Sequence, residues 1–238
     1  MRFLDTACCP VEAESRAFTD GALGDLRARG WSPTAWARFA GRVAVRSAEQ
    51  AVAHPRAAGE ITLLHLAFAL ASRGRARCWL ALSWLMGVTH LGLLGQRRSL
   101  GWPNAISLAR ANLPATGRPL GRWVGVAALC SDKLDGTLAR RTQPTMFGYY
   151  ADSLADAAFW TWLGTRHEPS RLLRFASLAA WAAPVVAVTA ASITKGEMAE
   201  APRPIVLRPA AAMQAVLAMR ALRAGRPKGP DLGTCGRD

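Results

Sequence analysis

Acidic residues are scarce in this chain. Only 16 aspartates and glutamates stand against 30 lysines and arginines, so the 238 residues carry a net charge of +14. Such an excess suits either nucleic acid or anionic lipid as a partner. Here the arginines flank apolar runs and do not form one continuous stripe with stacking aromatics. Their distribution therefore favours a membrane and argues against nucleic acid.

Cysteine, histidine and β-branched runs are also sparse. The five cysteines and four histidines show no spacing typical of zinc ligands. Few runs of valine, isoleucine or threonine interrupt the alanine- and leucine-rich sequence, so the composition favours helices throughout. Asp5 comes too early for the apolar core of a signal peptide, and membrane insertion would therefore rely on internal helices. We predict an all-α protein.

Apolar stretches organise the chain. Residues 1–31 are polar and of mixed charge, and we expect them to be loosely ordered. Ser32 and Pro33 begin a basic amphipathic helix to about residue 53, which suits either an anionic membrane surface or packing on the rest of the protein. The apolar segments that follow are 61–72, 78–94, 105–115, 123–138, 147–163, 172–193 and 205–222. We predict a polytopic membrane helical bundle of about six membrane helices, with 78–94 and 172–193 as the clearest spans.

Four aspartates lie within the otherwise apolar segments. Asp132 and Asp135 are three residues apart, and Asp152 and Asp156 are four apart, so each pair shares one face of a helix. A break at 142–144 separates the two helices, and an antiparallel pair would bring the four carboxylates together. Buried carboxylates are costly unless positive charge neutralises them. Oxygen ligands favour two Mg²⁺ or Mn²⁺ ions as the neutralising charge.

The aspartates belong to a longer pattern, D-x2-D-G-x2-A-R-x7-G-x3-D-x3-D. Its remaining fixed positions are Gly136, Ala139, Arg140 and Gly148. The pattern resembles the signature of the CDP-alcohol phosphatidyltransferases. The stretch 103–110, which reads Pro-Asn-x-x-Ser-x-x-Arg, also resembles the opening of that family's first membrane helix.

This resemblance implies a reaction and a set of ligands. The family transfers a substituted phosphate from a CDP-alcohol, mostly CDP-diacylglycerol, to an acceptor hydroxyl and releases CMP in phospholipid synthesis. Asp132, Asp135 and Asp152 would be the main ligands of the two Mg²⁺ or Mn²⁺ ions. Asp156 would be the general base for the incoming hydroxyl and would also lie near a metal.

The resemblance also assigns the other signature residues to substrate binding. Arg140 would lie by the phosphates of the CDP-alcohol, a role that suits a guanidinium. Gly136 would allow the nucleotide to approach the helix closely, and Gly148 would allow the facing helix to do so. Ala139 is the remaining signature residue assigned to this site.

The resemblance implies a homodimer, and the apolar segments, together with the arrival of the CDP-alcohol from the nucleotide-containing compartment, complete the expected architecture. We expect a homodimer that crosses the cell membrane several times and whose active site faces the cytoplasm. The expected domains are an N-terminal segment with the amphipathic helix (1–57), a membrane catalytic domain (58–224) and a polar tail (225–238).

Other interpretations remain open. Residues 134–138 look like the Asp-x-Asp-Gly-Thr motif of haloacid-dehalogenase-type phosphatases, but Lys133 stands where the nucleophilic aspartate belongs. A catalytically inactive membrane scaffold would not need four costly carboxylates. A cation-coupled transporter would not need glycine, alanine and arginine at fixed offsets.

The identity of the acceptor alcohol remains open. Residues 152–156 look somewhat like the phosphatidylserine synthase motif. Ala157 stands where phosphatidylglycerophosphate synthases usually have lysine and inositol-phosphate enzymes often have arginine.

Overall fold

The computed structural model describes residues 10–116, 120–142, 145–199 and 208–224. Within these ranges the chain forms nine α-helices and two short 3₁₀ turns and no strand, which confirms the all-α prediction. The helices are α1 (Pro10–Ala28), α2 (Pro33–Ala53), α3 (Pro55–Ala71), α4 (Arg77–Thr89), α5 (Trp102–Thr116), α6 (Val124–Arg141), α7 (Met146–His167), α8 (Arg171–Lys195) and α9 (Arg208–Ala224).

Local sequence explains where several helices begin. The Ser32 hydroxyl accepts a hydrogen bond from Ala35 N at 3.3 Å, and Pro33 occupies the first turn of α2, as predicted. Thr145 caps α7 in the same way, by accepting a hydrogen bond from Gly148 N at 3.0 Å. These side chains satisfy backbone N–H groups that have no partner inside the helix.

The expectation of a loosely ordered N-terminal segment is wrong for α1. Residues 1–9 lie outside the part that the structure describes, but α1 packs against α2 and α8. Its buried apolar side chains are Ala22, Leu23 and Leu26. Arg42 of α2 forms an ion pair with Asp25 of α1 at 2.8 Å. Tertiary packing therefore stabilises a helix that the polar composition alone did not indicate.

The membrane span predicted at 78–94 is too long. α4 ends at Thr89 after 13 residues, and Leu91–Leu94 form a 3₁₀ turn. Glycine is a weak helix former, and Gly95 adopts a φ of +66°, which ends the turn. A helix of this length measures about 20 Å, which is shorter than a hydrocarbon core of about 30 Å.

Among the described helices, α8 alone has both the length and the apolar composition to cross a membrane. It has 25 residues and covers the span predicted at 172–193. Its most apolar stretch is almost entirely unburied within the chain. An apolar helix with so little protein around it suits a lipid environment.

The centre of the bundle is α5. It packs extensively against both α6 and α7, whereas α6 and α7 make few direct contacts with each other. The predicted direct pairing of the two signature helices is therefore wrong in its contacts, because each of them packs mainly on α5. Gly148 of α7 lies against α5, where a Cβ atom would come within 2.5 Å of Asn104 Oδ1. Of the break expected at 142–144, residues 143 and 144 lie outside the described part of the chain.

The last described helix, α9, is fixed to α6 and to the end of α7. A Cβ atom on Gly125 of α6 would lie 3.0 Å from Ala218 Cα of α9. The buried Glu168 accepts a hydrogen bond from Arg220 Nη2 of α9 at 2.7 Å. Burial raises the pKa of Glu168, but hydrogen bonds from Arg220 and Ser170 N outweigh it and hold the pKa below its ordinary value. Glu168 therefore keeps its charge and its contact with α9.

We expect Gly125→Val to lower the unfolding temperature, because a branched side chain does not fit against the backbone of α9. Overpacking of this kind costs about 1–3 kcal/mol. Gly59→Ala on α3 is the control, since nothing lies within 4 Å of its Cβ position and alanine favours helices. Thermal unfolding followed by circular dichroism measures both. An unchanged midpoint for Gly125→Val would contradict the close packing of α6 on α9.

Candidate active site

A buried arginine of α5 lies among the four signature aspartates. The Arg110 side chain has no exposed surface. Its Nη1 atom lies 3.5 Å from Asp132 Oδ1 and 3.1 Å from Asp135 Oδ2. Its Nη2 atom contacts Asp152, and its Nε atom lies 2.9 Å from Asp156 Oδ1. The two carboxylate pairs thus converge, as their helical spacing predicted, but they do so around a side chain from a third helix.

The charges of this site do not balance. Four carboxylates face one guanidinium, so the site has three more acidic groups than basic ones. Carboxylates this close together disfavour one another's ionisation unless more positive charge is supplied. Binding of additional cations in the site would therefore be electrostatically favourable.

The aspartates differ in depth. The side chains of Asp132 and Asp152 are each 45% exposed, whereas those of Asp156 and Asp135 are 14% and 5% exposed. The Ser107 hydroxyl donates a hydrogen bond to Asp135 Oδ2 at 2.8 Å. Asp135 thus forms the floor of the site, and the two exposed aspartates form its opening.

Three of the carboxylates are arranged as cation ligands would be. Asp132, Asp152 and Asp156 each offer one oxygen, and these oxygens lie within 4.8 Å of one another. An all-carboxylate donor set suits hard divalent cations such as Mg²⁺ or Mn²⁺. The donor set and the unbalanced negative charge both fit such an ion. Asp135, which the resemblance placed among the main ligands, is directed at Ser107 and the guanidinium.

α9 contributes a residue that the sequence did not single out. Gln214 Nε2 donates a hydrogen bond to Asp156 Oδ2 at 2.8 Å, from 58 positions further along the chain. Asp156 therefore has one oxygen beside Gln214 and the other beside Arg110. The role of Arg110 could have been suspected, because Asn104, Ser107 and Arg110 recur every three residues along one helix face. No comparable signal marks Gln214.

The remaining predicted residues lie on α6 and α7 near the aspartates. Arg140 is exposed and donates a hydrogen bond to Thr137 Oγ1 at 3.1 Å. A Cβ atom on Gly136 would lie 3.4 Å from Arg140 Nη1, so these two residues are neighbours on α6. Ala139 is partly buried beside them, and Gly148 packs on α5.

Comparison with known proteins agrees with the signature. A family model described as CDP-alcohol phosphatidyltransferase matches residues 102–224, which is more than half of the chain. Neither the curated proteins nor the solved structures contain a match to the chain. The matched region runs from α5 to α9 and includes all four aspartates and both side chains that hold Asp156. The chain belongs to the CDP-alcohol phosphatidyltransferase family.

Proposed function

We propose that this protein transfers a substituted phosphate from a CDP-alcohol, foremost CDP-diacylglycerol, to the hydroxyl of an acceptor and releases CMP. The observation that carries the proposal is the convergence of the four signature aspartates on the buried Arg110. Membership of the family supports the reaction class. Phospholipid synthesis is the process that such a reaction serves.

The carboxylates are the proposed cation ligands. Asp132, Asp152 and Asp156, together with Asp135, would hold two Mg²⁺ or Mn²⁺ ions. Such ions, when bound, supply positive charge that neutralises the diphosphate and the departing CMP.

Asp156 is the proposed general base. Arg110 and Gln214 each contact one of its oxygens, so its orientation is set before an acceptor arrives. The acceptor oxygen forms a bond to the phosphorus that carries the alcohol, its proton passes to Asp156, and the bond from that phosphorus to the CMP oxygen breaks. The low exposure of Asp156 keeps bulk water away from the proton transfer.

The other signature residues are proposed to bind the CDP-alcohol. Arg140 is exposed on α6, where its guanidinium can contact the phosphates with two parallel hydrogen bonds. Gly136, beside it, leaves room for the nucleotide because it has no side chain. Ala139 adds little bulk next to them, and Gly148 lets α7 approach α5.

We further propose that the protein is a multi-pass cell-membrane protein and a homodimer. The apolar α8 supports membrane residence. Large apolar side chains are also exposed on α3 and α4, namely Leu63, Leu66, Leu70, Leu82 and Leu85. Because CDP-alcohols reach the enzyme from the nucleotide-containing compartment, the active site should face the cytoplasm. The division into 1–57, 58–224 and 225–238 is part of this proposal, and the tail 225–238 lies outside the described residues.

The direct test is release of radiolabelled CMP from CDP-diacylglycerol by the purified protein. Serine, glycerol 3-phosphate and inositol phosphate are offered separately, and release that depends on one of them supports the proposal and identifies the acceptor. Absence of release with every acceptor and with other CDP-alcohols would refute it. An inactive scaffold would release no CMP. A cation-coupled transporter would also release no CMP, but it would move ions across a vesicle membrane.

We expect activity to require Mg²⁺ or Mn²⁺, because four carboxylates and one guanidinium leave negative charge that cations must neutralise. EDTA should abolish CMP release, and either ion should restore it. The control is EDTA saturated with Mg²⁺, which should have no effect. Full activity in excess EDTA would exclude the two-cation interpretation.

We expect Asp156→Asn to lower kcat by at least about a hundredfold, because a lost general base affects the chemical step. Binding of the CDP-alcohol should change little. Asp132→Asn should instead weaken Mn²⁺ and CDP-alcohol binding together, since this exposed carboxylate lies at the opening of the site. Single-turnover kinetics and equilibrium binding separate the two effects. Near-normal kcat for Asp156→Asn would show that another group accepts the proton.

We expect Arg110→Gln to destabilise the cation-free protein by about 3–5 kcal/mol, because it leaves neighbouring carboxylates without their buried counter-charge. Mn²⁺ should restore part of the loss, since it supplies the missing positive charge. Arg140→Gln is the control, because Arg140 is exposed and its removal should leave stability unchanged. Thermal unfolding with and without Mn²⁺ measures both variants. Equal stability of Arg110→Gln and the wild type in EDTA would contradict the role of the guanidinium.

A further inference from the structure

A buried polar cluster joins α3, α4 and α5 outside the signature. It consists of His65 of α3, Ser83 of α4 and Asn112 of α5, and we call it the histidine cluster. The side chains of His65 and Asn112 are both buried. Two of the three residues precede residue 102, so the region that the family model matches does not account for the cluster.

The hydrogen bonds of the cluster determine which atoms donate and which accept. His65 Nδ1 lies 2.8 Å from the carbonyl oxygen of Ile61, which can only accept, so the proton is on Nδ1. His65 Nε2 therefore accepts hydrogen bonds from the Ser83 hydroxyl at 3.0 Å and from Asn112 Nδ2 at 3.1 Å. Asn112 Nδ2 also donates to the carbonyl oxygen of Leu108 at 2.9 Å, so the amide nitrogen faces the imidazole. One imidazole nitrogen thus connects α3 to both α4 and α5.

Asn112 and Arg110 lie on opposite faces of α5. Two residues correspond to a rotation of about 200° around an α-helix. Arg110 contacts the carboxylates of α6 and α7, whereas Asn112 contacts α3. The residue between them is also held, because Trp79 Nε1 of α4 donates a hydrogen bond to the carbonyl oxygen of Ala111 at 2.9 Å. The contacts with α3 and α4 therefore restrict the rotation of α5, which decides where the Arg110 guanidinium lies.

We propose that His65 is a positioning residue for the candidate active site, because through Asn112 it holds α5 in the rotation that places Arg110 among the four aspartates. One guanidinium contacts carboxylates from two helices, so only a narrow range of rotations preserves all of these contacts. Without the imidazole acceptor, a buried N–H group of Asn112 would lose its partner, which favours a rearrangement of α5. The effect on catalysis rests on the proposed transfer reaction, whereas the link between His65 and Arg110 does not.

A double-mutant cycle on the full chain tests this link. His65→Leu, Arg110→Gln and the double variant are unfolded thermally in detergent with EDTA and without substrate. Residues that do not touch each other usually contribute additively to stability. We expect the midpoint loss of the double variant to be smaller than the sum of the single losses by at least about 2 °C, because His65 has less to position once Arg110 is gone. If the double variant does not fold, Ser107→Ala, which removes a hydrogen bond to Asp135, takes the place of Arg110→Gln.

Thr62→Val is the matched control. The Thr62 hydroxyl accepts a hydrogen bond from Trp84 Nε1 at 3.0 Å, so it connects α3 to α4 without reaching α5. The midpoint losses of Thr62→Val and Arg110→Gln should therefore add. Additive losses for His65→Leu would overturn the proposal, since they would show that His65 only stabilises the fold. Equal non-additivity for the control would do so too, because it would show a general loosening of the bundle.

CMP release provides the second measurement. His65→Leu should lower kcat at least about tenfold, because a displaced Arg110 disturbs the orientation of the aspartates. His65→Gln should keep most of the activity, since its amide oxygen can accept the hydrogen bond from Asn112. Equal loss of kcat in both variants would contradict the role of the acceptor atom. If the wild type releases no CMP, the proposed function fails, and the double-mutant cycle alone decides whether His65 positions Arg110.

Discussion

The contact between the buried guanidinium of Arg110 and four carboxylates holds the candidate site together. Arg110 comes from α5, whereas the carboxylates come in pairs from α6 and α7. Because an unpaired charge in this interior is strongly unfavourable, neither the arginine nor the deepest aspartate, Asp135, can move away without cost. The three helices are therefore held in one register. The two halves of the signature meet around a residue that precedes both of them in the sequence.

Close approach between helices makes this contact possible. Gly148 lets α7 lie directly against Asn104 of α5, and Gly125 lets α6 lie against the backbone of α9. The second approach places Gln214 beside Asp156, while Arg220 and Glu168 fix the far end of α9. The proposed base thus depends on the packing of α9 at residues 214–220, because that packing decides where its hydrogen-bond donor lies.

The charges of the site distinguish between an enzyme, an inactive scaffold and a cation-coupled transporter. A structural scaffold would be most stable with matched charges, yet the site keeps three more carboxylates than guanidinium groups. Cation coupling in a transporter would use such a surplus, but it would not require the exposed Arg140 beside a glycine on the same helix. The proposed diphosphate substrate, bound with divalent cations, would account for both features.

The amino-acid sequence was sufficient for properties that depend on neighbours along the chain. Helical composition, the Ser32 cap of α2 and the shared faces of the four aspartates follow from local spacing, and the family follows from the signature. The formation of α1, the central position of α5 and the contact of Gln214 with Asp156 were decided by tertiary structure. Each of these depends on burial or hydrogen bonding between segments far apart in sequence. Periodicity describes which face a residue occupies, but not which helix that face meets.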